Sequence, residues 1–333
     1  MFDYLNIAAA PVRPVLAALL RDRTTGRNIV WGTDSYAALN PACQPNAQIT
    51  EDALLALDAF ELQPRCMKAK AEQLSRTRSK AEVFTPAWIC NMMNNACDAD
   101  WFGAKAPFNI SDGHSWLAVP DPIEFPLERD WRRYVDSRRL EISCGEAPFI
   151  TSRYDAATGD TVPVSQRIGL LDRKLRVVAE NAENATDWYK WARRAVESVY
   201  GYEYQGDNLL IARVNVFMTY VEHARLYLDA EPDPTALRAI AGVISWNFWQ
   251  MNGLTGKVPY GEIEAGVESN HQMSFFESNP DDLKGYELPP EAVQKPCIIY
   301  DWRSRAPLLY NDLKWETMSH LRKENRYARG KGA

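Results

Sequence analysis

The stretch "LEISCGEAPF", residues 140–149, has the residue types of a nucleotide-type turn. A strand ends at Glu141, Ser143-Cys144-Gly145 turns, and Phe149 falls on the first turn of an expected helix that runs to about Thr158-Gly159. Glycine lets a backbone approach a ligand closely, and amides at such a turn attract anionic or polar groups. Alone the pattern is weak, because Glu141 and Ser143 could equally cap the helix that follows. A second unusual stretch lies upstream. In "AEVFTPAWICNMMNN", residues 81–95, a basic run stops at Phe84-Thr85-Pro86 and an apolar helix-like segment begins at once. The six cysteines are scattered without a CxxC pair and the four histidines are isolated, which argues for reduced thiols and against a metal site or a His-dependent triad.

The elements that must position these residues follow from periodicity. "VLAALLRDR" reads as a short helix and "TTGRNIVWGTDSY" as turn, short strand, turn. "TEDALLALDAF" starts a helix with Thr50 as N-cap, and residues 66–80 are helix-compatible. Residues 98–137, rich in Pro, Trp and Asp, read as a loop-like insertion over another part of the fold. "ATDWYKWARRAVES" is a helix with Thr186 as its expected cap. "VYGYEYQGDNLLIARVNVFMTYVEHARLYL" is a strand, a turn and a long helix, and "TALRAIAGVISWNFWQMNG" is a helix then a strand. This alternation across 138–305 predicts an α/β sheet of parallel type with ligands at the carboxyl ends of its strands.

Together, the FTP segment and the glycine turn resemble the S-adenosylmethionine site of amino-group (N6-adenine type) DNA methyltransferases, particularly the modification subunits of restriction systems. There a "vFTP" segment precedes a "lEpscGxGxF" strand-turn. The resemblance implies a class I, Rossmann-like methyltransferase domain over 81–310, after a mainly helical region 1–80 and before a basic tail 311–333. Phe84, Thr85 and Pro86 would close over the methionine part of the cofactor. Glu141, Ser143 and Gly145 would contact its amino-acid end, Glu141 through the ammonium group. Ile142 and Ala147 depart from the family's Pro and second Gly, which makes this turn bulkier. "VYGYEYQGDNLLIARVNV" looks like the family's "yGxE…lArmNl" segment, so that Glu203 would chelate both ribose hydroxyls, with Tyr202 or Tyr204 beside the adenine. "NFWQMNGL" is similar to "I..gDaL", with Asn252 as acceptor for the amine of the cofactor's adenine and Trp249 as stacking wall or core.

The family's catalytic Asn/Asp-Pro-Pro-aromatic turn is missing. In its expected place "CIIYDWRS" offers Asp301 as acceptor and Trp302 as stacker, without either proline. Asn247-Phe248-Trp249 is a second candidate. The implied activity is methylation of an exocyclic amine in DNA, adenine N6 before cytosine N4, by a cytoplasmic enzyme with weak or no sequence preference of its own. The alternative is a catalytically degenerate accessory subunit that binds cofactor beside a nuclease or specificity subunit.

Charge divides along the chain. The net charge of −6 speaks against a polyanion partner, yet residues 65–80 carry six Lys/Arg against one Glu. Lys68, Lys70, Arg76, Arg78 and Lys80 are the candidate phosphate contacts, with a plain solvated face as the other reading. Eleven Trp and fifteen Tyr are core or base-stacking surfaces. No run approaches the ~20 apolar residues of a membrane span.

Overall fold

The computed structural model describes residues 4–5, 7–57, 62–80, 82, 84–103, 107–125, 127–260 and 295–313. Three short parallel strands form its centre: β3 (Arg139–Glu141), β4 (Val199–Glu203) and β5 (Phe248–Gln250), in the order β3-β4-β5. Arg139 faces Val199, Gly201 faces Phe248, and Glu203 faces Gln250. Glu141 and Glu203 therefore end neighbouring strands at the same, carboxyl edge. Between β3 and β4 run α6 (Leu170–Asn181) and α7 (Ala185–Glu197); between β4 and β5 run α8 (Gly206–Leu228) and α9 (Pro234–Asn247). The expected parallel α/β sheet is present.

α8 is the spine of the core. It is buried continuously from Gly206 through Val221, as a helix enclosed on all sides must be. Arg213 on this helix is wholly buried and bonds to backbone rather than to a carboxylate. Its guanidinium donates to the Phe248 carbonyl (2.6 and 2.8 Å), the Leu19 carbonyl (2.5 Å) and the Arg21 carbonyl (3.1 Å). Burial lowers its pKa to about 10.

Residues of the N-terminal region 1–80 contribute to this core. Leu16, Leu19 and Leu20 of α1 (Leu16–Leu20) join Ile29 and Trp31 in one apolar cluster with α8 and α9. Gln250 binds Val30 as a strand would, accepting its amide (2.9 Å) and donating to its carbonyl (2.8 Å) and to that of Tyr204 (2.7 Å). Thr50 caps α2 (Glu51–Ala56) through the amide of Ala53, as its sequence predicts. α3 spans Lys70–Lys80, and α4 (Ala87–Phe102) begins directly after Pro86.

Three local expectations change. The helix expected after Gly145 does not form. Ser143, Gly145 and Ala147 all have positive φ (47°, 53° and 63°), so every second residue is left-handed and no helical turn can propagate. Within 98–137 the chain is more regular than a loop. It completes α4, forms the hairpin β1 (Asn109–Asp112) with β2 (Ser115–Ala118), and adds α5 (Glu128–Val135). Its rings, among them Phe102, Phe108, Phe125 and Tyr134, cluster, while Arg176 of α6 holds the carbonyls of Val119 and Asp121 (2.7 and 2.9 Å). α7 is capped by Asn184, whose side chain accepts the Asp187 amide at 3.0 Å, in place of Thr186.

A last hairpin, β6 (Ile298–Asp301) with β7 (Ala306–Leu309), lies beside β5. Cys297 sits against the Gln250 carbonyl (3.5 Å), and Trp302 donates to the Asn247 side chain (2.7 Å). β6 thus runs from the carboxyl edge of the sheet to its amino edge, opposite in direction to β3, β4 and β5.

Two glycine substitutions separate close packing from chain entropy. A Cβ on Gly206 would lie 1.9 Å from the Val30 carbonyl oxygen, whereas a Cβ on Gly242 meets nothing within 4 Å. Gly206→Ala is expected to cost about 3 kcal/mol of unfolding free energy in urea titrations, and Gly242→Ala to add about 0.5–1 kcal/mol.

Candidate functional site

At the carboxyl edge of β3 the chain turns back on itself. The Cys144 amide extends the ladder to the Tyr202 carbonyl (2.8 Å), and the next amide, of Gly145, donates to Glu203 Oε2 at 2.9 Å. A Cβ on Gly145 would stand 3.4 and 3.5 Å from two carbons of the Phe84 ring. The FTP segment and the glycine bend are therefore neighbours, with Glu203 on the far side of the bend. Phe84, Thr85 and Pro86 are each half-buried. Arg65 holds the Phe84 ring from behind, its guanidinium 5.2 Å from the ring centroid. The first amide of α4, on Ala87, finds its acceptor in Asp155 (2.9 Å), which fixes where the FTP segment enters the helix. Ser143, at positive φ on the bend, is exposed.

Two buried carboxylates line the bend, and among the described residues neither forms an ion pair. Glu203 Oε1 accepts the amides of Tyr204 (2.9 Å) and Gln205 (3.1 Å). An ionised carboxylate has about four acceptor positions, so with the Gly145 bond only one remains, on Oε2. Chelation of two ribose hydroxyls, as expected from sequence, exceeds that capacity; one hydroxyl fits. Glu141 accepts from Ile150 (3.1 Å) and, more loosely, from Phe149 (3.4 Å). Burial pushes its pKa up to about 8, and burial likewise raises Glu203. Glu146 beside them accepts the Arg65 amide and the Tyr154 hydroxyl, both at 2.7 Å, and burial raises it to about 7.

Behind this layer lies a buried ionic cluster that redirects part of the expected phosphate-binding set. Arg76, 3% exposed, is bidentate to Glu82 (2.7 and 2.8 Å) and reaches Asp207 at 2.8 Å. Lys68 turns to the Tyr36 hydroxyl (3.0 Å) and Asp207 (3.8 Å). Burial works to raise Asp207, but Arg76 and Lys68 hold it below its ordinary range. Both cations are thus withdrawn from solvent, because Glu82 and Asp207 need them to offset the loss of water. Lys70 and Arg78 are exposed. The side chain of Lys80 lies outside the described residues, as do residues 314–333 of the basic tail and most of the acidic stretch 257–292.

Two further expectations on the carboxyl edge change. Asn252 Oδ1 accepts the amides of Leu254 (2.9 Å) and Thr255 (3.3 Å), so the oxygen assigned to an adenine amine closes its own turn. Trp249 is 3% exposed and packs between Tyr202 and Tyr310, with ring centroids 5.8 and 5.7 Å away, which makes it core.

Asp301 and Trp302 belong to the other edge. Asp301 pairs with Arg138 at 2.6 Å, immediately before β3, and accepts the amides of Arg303 and Ser304. Trp302 binds Asn247, immediately before β5. The cause is the antiparallel course of β6: four residues of strand carry the chain about 13 Å, from beside Gln250 to the amino edge. The sheet therefore stands between Asp301 and the glycine bend, and the expected catalytic pair is not part of this site. Asn247, the second candidate, is buried and donates to the carbonyls of Val196 (3.0 Å) and Val199 (2.9 Å).

Residues that sequence reasoning passed over include Arg65, Glu146, Asp155 and Gln250. Their partners lie far away in the chain, and no local signal marks them. Glu82 was visible, as the single acid two residues before Phe84.

Comparison of the chain with protein-family models, with curated proteins and with solved structures finds no match in any of the three. Among the described residues no group of His, Cys, Asp or Glu could hold a metal ion, and no helix is long and apolar enough to cross a membrane.

The raised carboxyls give a stability signature. Glu141, ordinarily near 4.5 and pushed to about 8, binds its proton more tightly folded than unfolded. Its contribution is complete below pH 4.5 and is lost as pH rises toward 8. Unfolding free energy is expected to decline over pH 5–8 by up to about 1.4 kcal/mol per pH unit from this group. In urea titrations across that range Glu141→Gln should flatten the decline; an unchanged slope in the variant contradicts the assignment.

Proposed function

We propose that this chain binds S-adenosylmethionine between the Phe84-Thr85-Pro86 segment and the Gly145 bend, and that it methylates an exocyclic amine in DNA, adenine N6 foremost. One observation carries the reading: Phe84 rests on Gly145, whose amide bonds Glu203, at the carboxyl edge of a parallel sheet. The donor set suits this cofactor. Its ammonium and sulfonium are both cationic, and Glu141 and Glu203 are buried carboxylates without counter-ions among the described residues. A cation there would offset the desolvation that now raises both groups.

Glu141, with acceptor positions left over, takes the ammonium, and Oε2 of Glu203 takes one ribose hydroxyl. The Phe84 ring packs at van der Waals distance from the Gly145 position, which brings the FTP segment against the bend. When bound, the cofactor supplies an electrophilic methyl group on a sulfonium with a neutral thioether as leaving group. The residues of the chain contribute orientation and exclusion of water, the chief requirement of an in-line displacement. A cytoplasmic setting and a nuclease or specificity subunit as partner belong to the same proposal.

A second reading is favoured by the position of Asp301. With that carboxylate at the amino edge, Asp301 is not placed to accept an amine hydrogen of a target base beside the cofactor. A cofactor-binding accessory subunit, without chemistry of its own, fits that geometry.

Equilibrium dialysis with methyl-labelled cofactor, followed by incubation with unmethylated DNA and digestion to nucleosides, tests both. Wild type should bind, and Glu203→Gln and Phe84→Ala should each bind about tenfold or more weakly, the scale of one charge-assisted hydrogen bond for Glu203 and of one buried apolar side chain for Phe84. Labelled methyl-adenine that persists in Asp301→Ala supports the enzyme. Binding without transfer to DNA supports the accessory subunit. Absence of cofactor binding overturns both.

A further inference from the structure

The amino edge of the sheet carries a groove of about 950 Å³ lined by cations and aromatic rings. Arg132 and Arg133 of α5, Lys190, Arg193 and Arg194 of α7, and Arg305 from the turn after β6 supply six cations. The acids that line it are Asp136 and Glu197. In a chain of net charge −6, this is a concentrated positive field.

Both acids are already engaged. Arg194 pairs with Asp136 and with Glu197 (3.1 Å), Arg193 with Glu197 (2.8 Å), and Arg303 with Asp136 (2.9 Å). The side chain of Arg133 is 73% exposed even in its pair with Asp130, and Lys190 and Arg305 are exposed.

Rings are set among these charges. Trp191, half-buried, has the Arg132 guanidinium 5.6 Å and the Lys190 ammonium 5.4 Å from its ring centroid. Tyr300 and Trp302 pack together at 4.6 Å, and Trp302 is oriented by its bond to Asn247. All three rings line the groove.

We propose that this groove binds single-stranded nucleic acid, with the arginines and Lys190 on phosphates and Trp191, Tyr300 and Trp302 on bases. Cations that follow a backbone, interleaved with recessed aromatic faces, are what an unpaired strand requires. A duplex keeps its bases stacked inside and presents mainly phosphates, so it would leave the rings unused. The inference is independent of the methyltransferase reading, because the sheet separates the groove from the glycine bend. It also gives "CIIYDWRS" a role: Asp301, paired with Arg138, fixes the turn that presents Trp302 and Arg305.

Fluorescence anisotropy of a labelled oligo(dT) of about twenty nucleotides, with the full chain, tests the proposal. If about four phosphates are contacted, affinity should fall about fifty-fold between 50 and 200 mM salt. Binding should quench tryptophan fluorescence, and a duplex of equal length should bind more weakly. Arg133→Glu combined with Arg305→Glu should weaken binding at least tenfold, reduce the logarithmic salt slope by about 1.4, and leave the melting temperature unchanged. Three results overturn the inference: wild-type affinity in the double variant, tighter binding of the duplex without quenching, or displacement of the oligonucleotide by polyglutamate at equal charge concentration, which would assign the groove to an acidic protein.

Discussion

The bond from the Gly145 amide to the Glu203 carboxylate joins the carboxyl ends of two parallel strands. Among the described residues the buried Glu203 carboxylate has no counter-ion, and backbone amides solvate it: Gly145, Tyr204 and Gln205. That solvation dictates the left-handed residues around the bend, for only a tight reversal aims the Gly145 amide back at β4. The positive φ of Gly145 (53°) suits glycine, and the Phe84 ring packs against it. Arg65 backs the ring and also reaches Glu82, at the edge of the Arg76–Asp207 cluster. The site is thus assembled from β3, β4 and the N-terminal region together.

Much of this was legible locally. The glycine turn, the Thr50 cap, the long helix after Glu203 and the strand–helix alternation are written in neighbouring residues. The adjacency of FTP and glycine turn came from pairing two motifs through a resemblance. What was not legible depends on partners distant in the chain. Arg76 reads as a surface cation until Asp207 is placed beside it. Glu141 looks like a helix cap, yet Ala147, a non-glycine residue at positive φ, helps prevent the helix. Asn252 looked free to accept from a ligand because its own turn was not foreseen. Asp301 looked catalytic because the direction of β6 cannot be read from "CIIYDW".

The two edges of the sheet have opposite electrostatic character. The carboxyl edge gathers Glu141, Glu146 and Glu203 where burial makes each eager for a proton or a cation. The amino edge gathers arginines from α5, α7 and the β6–β7 turn. A net charge of −6 conceals this division, and so does the sequence. The conspicuous basic run 65–80 spends Arg76 internally, while the groove is built from short contributions far apart.

Backbone hydrogen exchange, followed with and without saturating S-adenosylmethionine, tests the central claim most directly. Exchange should slow in peptides that cover 84–90 and 142–150, with little change in α5 and α7. Unchanged exchange in both peptides, or protection confined to the amino edge, would contradict it.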